Sequence, residues 1–260
     1  MNQKPVHRLY LHFQELPPSM RVLFTGALLV LGCGYLFAMI YIFESHAGRD
    51  GSPGLSVQDI KIAYSGTKEG SKIEAALMGP MAKMLPKSEA LVISSWVIDG
   101  AQQSTYPTVI KPIVDARCMT CHDGSNPHLP NLNGFDNFVK LSETDSGTNI
   151  ATLVRVSHIH LFGMTFIFFI MGIIFSHAYI RPVWLKCVVM ATPFVSILLD
   201  VFSWYLTKVS EPFAWVVMIS GGCMGVAFAY MWIVSMKQMW FYKMPAALTQ
   251  REKDNTRIVG

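Results

Sequence analysis

Residues 117–124 read Arg117-Cys118-Met119-Thr120-Cys121-His122-Asp123-Gly124 and contain the pattern Cys-x-x-Cys-His. Two thiols three positions apart can form thioethers to the two vinyl groups of one haem, and the adjacent histidine can then ligate the iron. The pattern therefore predicts covalent attachment of one haem c through Cys118 and Cys121, with His122 as the proximal iron ligand.

The same cysteine pair has two other interpretations. A thioredoxin-like dithiol is preceded by a strand, and a zinc site needs a second pair of ligands. The other cysteines, Cys33, Cys187 and Cys223, all lie in apolar runs. His128 is one more candidate zinc ligand, but no convincing fourth follows it. Haem attachment is the favoured interpretation, and zinc or dithiol chemistry stays open as the alternative.

The rest of the sequence is typical of a membrane protein. Of the 260 residues, 52% are hydrophobic and 15% are charged, and the mean hydropathy is +0.36. Four runs reach the length of about 20 apolar residues that a bilayer requires, at positions 22–43, 158–180, 184–206 and 213–236. The net charge of +4 is not concentrated in basic clusters interleaved with aromatics, so nucleic acid is not an expected partner. The sequence therefore predicts an all-α protein with four transmembrane helices in contact with lipid.

Lysine and arginine near the ends of the runs predict the orientation in the membrane. They precede the first run, lie in the link between the second and third, and follow the fourth: Lys4, Arg8, Arg21, Arg181, Lys186, Lys237, Lys243, Arg251, Lys253 and Arg257. Only Lys208 marks the link between the third and fourth runs. Both termini are therefore expected in the cytoplasm. The long segment between the first two runs is expected in the periplasm, where haem c is attached in bacteria.

These features predict five divisions of the chain: a cytoplasmic leader (1–21), an anchor helix (22–43), a periplasmic monohaem domain with linkers (44–156), a three-helix transmembrane bundle (157–236) and a cytoplasmic tail (237–260). The first run is interpreted as an uncleaved signal anchor in a bacterial inner membrane. Its charged leader is long and contains Pro17-Pro18, and its apolar run continues past Cys33.

The periplasmic segment resembles a class I cytochrome c in two separate parts. Residues Met81 to Pro86, followed by Trp96-Val97-Ile98-Asp99-Gly100-Ala101, resemble the methionine loop and final helix of that family. Residues Val109-Ile110-Lys111-Pro112-Ile113-Val114, followed by the haem motif, resemble its first helix and are similar to planctomycete-type domains. The two parts occur in reverse order. The segment therefore resembles a circularly permuted class I domain inserted between transmembrane helices 1 and 2.

The resemblance implies further ligands for the haem. Class I haems commonly pair histidine with methionine, and Met81 is the favoured distal ligand because of its spacing to Trp96. Met84 is the competing methionine, and His128 is the non-methionine alternative. In this family a proline soon after the motif packs near the proximal histidine. The carbonyl of Pro130 is therefore expected to accept the ring N–H of His122 and fix its orientation.

The transmembrane runs contain a second group of ionisable residues. His158 and His160 open the second run, His46 follows the first, and Asp200 is expected near the outer end of the third. Ionisable groups in spans are costly and often functional, so these four residues form a candidate proton or quinone site. Buried or interfacial histidines without such a role are the competing interpretation. An intramembrane haem b is not favoured, because the third and fourth runs contain no histidine.

One-electron transfer in a respiratory chain is the expected function, and no nucleophile–base constellation indicates an independent enzyme. Four spans exceed what one small domain needs as a tether. The chain is therefore expected to be a subunit of a larger redox complex, or a partner of a soluble periplasmic cytochrome. Two alternatives remain, a quinol-oxidising membrane subunit and a haem-based sensor.

Overall fold

The computed structural model describes residues 11–68, 70–127 and 129–242. Within these ranges the secondary structure is helical and contains no strand, apart from an isolated bridge between Ser71 and Thr144. The α-helices are α1 (Pro18–His46), α2 (Val57–Ser65), α3 (Lys72–Met78), α4 (Lys87–Ile98), α5 (Lys111–Arg117), α6 (Met119–His122), α7 (Phe135–Phe138), α8 (Ile150–Ser176), α9 (Val183–Val209) and α10 (Phe213–Trp240). The expected all-α fold is confirmed for these residues.

Helices α1, α8, α9 and α10 are each long and apolar enough to cross a membrane, which confirms the four spans expected from the sequence. The largest difference is at α8, which begins at Ile150 rather than near residue 158. The side chain of Asn149 accepts a hydrogen bond from the amide of Thr152 at 2.8 Å and so caps the earlier turns. The apolar pattern does not reveal this start because the first turns precede the long apolar run.

The chain folds into two compact units. Among the described residues, the first unit comprises 11–37, 158–200 and 219–242, and the second comprises those within 38–157 and 201–218. Predictions on the first ten residues and on the tail from residue 243, including those on Lys4, Arg8, Lys243, Arg251, Lys253 and Arg257, lie outside the described residues.

In the first unit, aromatic residues of α10 hold α1 against it. The indole of Trp232 donates a hydrogen bond to the carbonyl oxygen of Leu28 at 2.7 Å, and the rings of Tyr35 and Phe228 stack with centroids 4.2 Å apart. In α10, Phe228 and Trp232 are one helical turn apart and so lie on one face. Most of α1 remains exposed, as expected for a helix that faces lipid along much of its surface.

At one end of the first unit, the chain before α1 packs against the link between α8 and α9. Phe13 is only 1% exposed, and His177 Nδ1 lies 2.6 Å from the carbonyl oxygen of Leu11. Gln238 of α10 exchanges hydrogen bonds with the backbone of Tyr179 in the same link. The leader, the α8–α9 link and the end of α10 therefore lie together.

In the second unit, serine caps start the first two short helices. Ser56 and Asp59 form a capping box at α2, and Ser71 and Glu74 form one at α3. The core of this unit is a cluster of apolar side chains from α3, α4, α5, α7 and the segments between them: Ile73, Leu85, Ile93, Trp96, Ala101, Tyr106, Ile110, Val114, Leu132 and Phe138.

The segment that leads into the haem motif, which resembles the first helix of a class I domain, forms in three helical parts. A π-helical turn from Tyr106 to Ile110 leads into α5, and Cys118 separates α5 from α6. Pro107 and Pro112 lack an amide N–H, so the regular hydrogen-bond ladder is interrupted at both positions. Within the motif, Cys118 lies at the break between α5 and α6, and Cys121 lies in α6.

Candidate functional site

The Cys-x-x-Cys-His motif forms a compact turn at the end of α5. The amide of His122 donates to the carbonyl oxygen of Cys118 at 2.9 Å, and the amide of Cys121 donates to the same oxygen at 3.2 Å. Both thiols are free; Cys118 is half-buried against the core cluster and Cys121 is exposed. The turn thus presents both sulfur atoms and the imidazole from one short segment.

The loop after the motif returns to the ring of His122. His122 Nδ1 lies 2.8 Å from the carbonyl oxygen of Pro130, and the amide of Leu132 donates to the carbonyl of His122 at 2.9 Å. Because a carbonyl oxygen only accepts hydrogen bonds, Nδ1 must carry the proton in this contact. The Nε2 lone pair is then available to a metal.

Gly124 makes this return possible. Its φ of +93° lies in the left-handed region, and a Cβ there would lie 2.7 Å from Nδ2 of Asn131. Asp123 supports the same turn by accepting hydrogen bonds from the hydroxyl and amide of Ser125, which lower the pKa of its carboxyl group. The loop is therefore a defined connection between His122 and Pro130.

An ion pair fixes the end of α5 next to the first cysteine. Arg117 donates from Nε and Nη2 to the two carboxylate oxygens of Glu89 in α4, at 2.9 and 3.0 Å. Burial raises the pKa of the Cys118 thiol, and the negative charge of Glu89 raises it further. Cys118 is therefore expected to be less ionised than a free cysteine at neutral pH.

The candidate distal ligands differ in their surroundings. Met81 is half-buried, and its amide donates to the carbonyl of Ala76 at 2.9 Å. The Met84 side chain is 69% exposed. His128, the non-methionine candidate, lies outside the described residues. The amide of Met84 also donates a backbone hydrogen bond, to the carbonyl of Met81 at 2.9 Å, so the two candidates differ in burial, with Met81 the less exposed.

The donor set fits a c-type haem. Two free thiols stand three positions apart, and the contact with Pro130 engages Nδ1 of His122, which leaves Nε2 as the ring nitrogen that could ligate a metal. Exposed apolar side chains occur on both flanking loops, Met84 before α4 and Leu129 after α6. A bound porphyrin could remove such surface from water. The helix before the motif disfavours the thioredoxin alternative, which needs a strand there. Among the described residues, no group of three or more His, Cys, Asp or Glu could hold a metal ion.

The ionisable residues of the first unit do not have a common environment. His158 and His160 are exposed on α8, and the ring of His158 makes an edge contact with Phe162 at a centroid distance of 5.1 Å. Asp200 on α9 is buried, with 8% of its surface exposed. A buried carboxylate in a span remains a functional candidate.

His46 belongs to the second unit and lies in a polar cluster that was not predicted from the sequence. Its ring is 6.4 Å from that of Tyr64, which stacks on Trp204 at 5.8 Å. Asp59 is fully buried and accepts hydrogen bonds from the amides of Asp50 and Ser56 at 2.9 and 2.8 Å. The sequence places His46, Asp50, Ser56, Asp59 and Tyr64 in a Gly-rich linker and a short helix, and Trp204 in the third apolar run. No local pattern predicts that these residues lie together.

A family model described as a transmembrane helical domain matches residues 142–246. No curated protein and no solved structure matches the chain. None of these findings indicates a cytochrome c domain, so the resemblance to class I cytochromes rests on the residues quoted from the sequence. The matched region contains α8, α9 and α10. This part of the chain is therefore similar to a transmembrane helical domain.

Proposed function

We propose that this protein is a membrane-bound monohaem c-type cytochrome that transfers one electron at a time at the periplasmic face of a bacterial inner membrane. The observation that carries the proposal is the turn from Cys118 to His122, with the ring of His122 oriented by Pro130. Bound haem would supply an iron that cycles between ferrous and ferric states. Cys118 and Cys121 would hold the haem covalently, and His122 and Met81 would ligate its iron.

The second unit supports a permuted cytochrome domain in its connections. The link from α4 to α5 covers residues 99–110. It is closed by the indole of Trp96, which donates to the carbonyl of Gln102 at 3.2 Å and to Oγ1 of Thr105 at 3.1 Å. In a permuted domain, this link would join the two positions that are the N-terminus and the C-terminus of an ordinary class I domain. The ends of the inserted segment meet instead at the bridge between Ser71 and Thr144.

Contacts within each unit support the proposed sidedness. In the first unit, the leader, the α8–α9 link and the end of α10 lie together through Leu11, His177, Tyr179 and Gln238. In the second unit, Glu211 in the α9–α10 link pairs with Lys61 of α2, which follows α1. The span ends therefore form two groups, one in each unit. The group in the first unit includes the leader, and the excess of lysine and arginine there supports a cytoplasmic location for this group.

The proposed partners follow from the excess of membrane helices. A single anchor would tether one small domain, whereas this chain has four helices able to cross a membrane. We propose that α8–α10 dock into a larger redox complex, and that a complex member or a soluble periplasmic cytochrome exchanges electrons with the haem. Purification in mild detergent as a lone monomer from its native membrane would contradict this partner proposal.

A pyridine haemochrome spectrum with intact mass tests the central proposal. The protein is expressed with a periplasmic haem-attachment system and purified in detergent. We expect one haem c per chain, no haem b, and a mass that exceeds the polypeptide by one haem. Cys118→Ser/Cys121→Ser should abolish covalent haem.

Cys187→Ser/Cys223→Ser is the matched control, because these two cysteines are exposed on the spans and outside the motif. This control should retain one haem per chain. Absence of covalent haem from the wild-type protein would refute the proposal and return attention to dithiol or zinc chemistry at the same pair.

Quinol oxidation is the second candidate function, and the buried Asp200 on α9 is the observation that favours it. In that case a quinol analogue should reduce the haem, and Asp200→Asn should slow the reduction while dithionite still reduces it fully. Lys237→Gln, at an exposed position near the end of α10 and outside the candidate site, is the control. Equal rates for Asp200→Asn and wild type would exclude this role for Asp200.

A further inference from the structure

The two chain segments that connect α3–α7 to the spans run side by side. We name residues 64–71 and 143–148 the neck. The amide of Asp145 donates to the carbonyl of Gly70 at 2.8 Å, and the amide of Lys72 donates to the carbonyl of Glu143 at 3.0 Å. The incoming and outgoing chains are thus joined to each other.

The neck is packed closely enough to require glycine. Gly66 has a φ of +79°, and a Cβ there would lie 2.2 Å from the carbonyl oxygen of Asp145. The side chain of Asp145 also accepts hydrogen bonds from the amides of Thr67 at 3.1 Å and Gly147 at 2.9 Å. Backbone contact of this kind couples the positions of the two segments.

One ammonium group fastens both segments to the end of α9. Lys208 Nζ donates to the carbonyl oxygens of Tyr64, Ser146 and Thr148, each at 2.8 Å. An ammonium group has three protons to donate, so these bonds use its full capacity. Two of the acceptors belong to the outgoing segment and one to the incoming segment. Lys208 therefore bridges three chain segments at a single point.

A carboxylate in the α9–α10 link adds a second fastening. Glu211 forms ion pairs with Lys61 at 2.5 Å and Lys68 at 3.1 Å. Hydrogen bonds from Lys61 and then Lys68 lower the pKa of Glu211, so it is charged at neutral pH. Because the Glu211 side chain is partly exposed, salt should weaken this fastening more than the three bonds of Lys208.

We propose that Lys208 and Glu211 form a latch that holds the neck on the α9–α10 turn, so that residues 72–142 are held in place as one body. Movement of that body relative to this turn requires the latch to open. Lys208 contributes most because its loss leaves three carbonyl oxygens without a donor. The inference uses only contacts within the second unit and does not rest on haem binding.

Hydrogen exchange of the full-length protein in lipid nanodiscs tests the latch. In Lys208→Met, we expect peptides covering residues 66–72 and 143–149 to exchange at least about tenfold faster than in wild type. Peptides covering the core residues Ile93, Ile110 and Val114 should keep their wild-type rates. Lys111→Met is the matched control, since it removes an exposed lysine paired with Asp115 outside the neck.

Two results would overturn the latch. The first is a hydrogen-exchange rate of the neck in Lys208→Met that equals the rate in wild type. The second is equal acceleration across residues 72–142, which would mean that Lys208 supports the global fold rather than a local fastening.

Glu211→Gln provides a variant that should fold even if Lys208→Met does not. Its neck should exchange a few times faster than wild type at low salt and should respond little to added salt. The wild-type neck should exchange faster as salt rises, because the pairs with Lys61 and Lys68 are screened. Identical neck exchange in Glu211→Gln and wild type at low salt would contradict the contribution of Glu211.

Discussion

His122 Nδ1 lies 2.8 Å from the carbonyl oxygen of Pro130, eight positions along the chain. The contact requires a proton on Nδ1 and so selects the tautomer with Nε2 free. Such a hydrogen bond also limits rotation of the ring and raises its basicity as a ligand. The loop after the motif therefore prepares His122 for axial ligation.

Pro130→Gly should loosen this orientation, because glycine keeps the carbonyl group but frees the φ angle that proline fixes. We expect haem to remain attached through the cysteines and the midpoint potential to rise, as His122 becomes a less basic ligand. Spectroelectrochemistry measures the change. Pro127→Gly in the same loop is the control and should leave the potential unchanged. A potential unchanged in Pro130→Gly would show that this contact does not tune the iron.

Met81→Ala should remove the distal ligand and lower the midpoint potential, because methionine ligation raises the potential of a haem c. The red charge-transfer band that marks ferric His–Met haem should disappear. Met84→Ala is the control, since its side chain is largely exposed, and should keep both band and potential. The reverse pattern would assign the ligand to Met84, and an intact band in both variants would exclude each of them.

The pair of Glu89 and Arg117 should make stability depend on pH. Hydrogen bonds from Arg117 hold the pKa of Glu89 below its usual 4.5. A lowered folded-state pKa contributes stability above the unfolded pKa, and this contribution is lost as pH falls through the folded value. We expect Glu89→Gln to melt below wild type near neutral pH, with the difference shrinking as pH falls below the unfolded pKa and vanishing below the folded-state pKa.

Thermal unfolding across this pH range measures the effect of Glu89→Gln. Asp136→Asn on α7 is the control for removal of a surface carboxylate and should not reproduce the same pH profile. A difference between Glu89→Gln and wild type that persists unchanged in acid would attribute the loss to packing instead of ionisation.

Gly32→Ala should weaken the packing of α1 on α10. A Cβ at Gly32 would lie 3.0 Å from the indole nitrogen of Trp232, which donates to Leu28 at 2.7 Å. Loss of that hydrogen bond should lower stability by roughly 0.5–1 kcal/mol. Gly26→Ala is the control, because a Cβ there meets nothing within 4 Å, and alanine favours the helix by up to about 1 kcal/mol.

Unfolding of the Gly32→Ala and Gly26→Ala variants in mixed micelles, followed by circular dichroism, gives the two stabilities. Both variants gain the same helix propensity, so Gly32→Ala should unfold before Gly26→Ala, and Gly26→Ala should unfold at the same point as wild type or later. Equal behaviour of the two variants would mean that the indole moves aside without loss.

The spans and helix caps were predictable because they depend on local sequence. Long apolar runs specify helices wherever they occur, and the capping boxes at Ser56 and Ser71 need only the next three residues. The start of α8 was not predictable in the same way, because Asn149 begins it before the apolar run. Pro107 and Pro112 changed the helix before the motif, although the apolar pattern continues through them.

The residues of the candidate site can be separated in the same way, into those that local sequence predicts and those that it does not. The positions of Cys118, Cys121 and His122 follow from one motif, and Pro130 was expected near His122. The pair of Glu89 and Arg117 joins residues 28 positions apart, and Lys208 reaches Tyr64 across 144 positions. No short pattern encodes such contacts, since they depend on how separate helices pack.

The bridge between Ser71 and Thr144 also bears on how this chain came to have its present order of parts. A segment whose two ends are adjacent can be inserted into a loop of another protein without separating the helices on either side. The ends of residues 72–143 are adjacent and therefore meet this geometric condition for insertion. Without this segment, a short turn between Ser71 and Thr144 would be enough to keep the flanking parts of the chain connected.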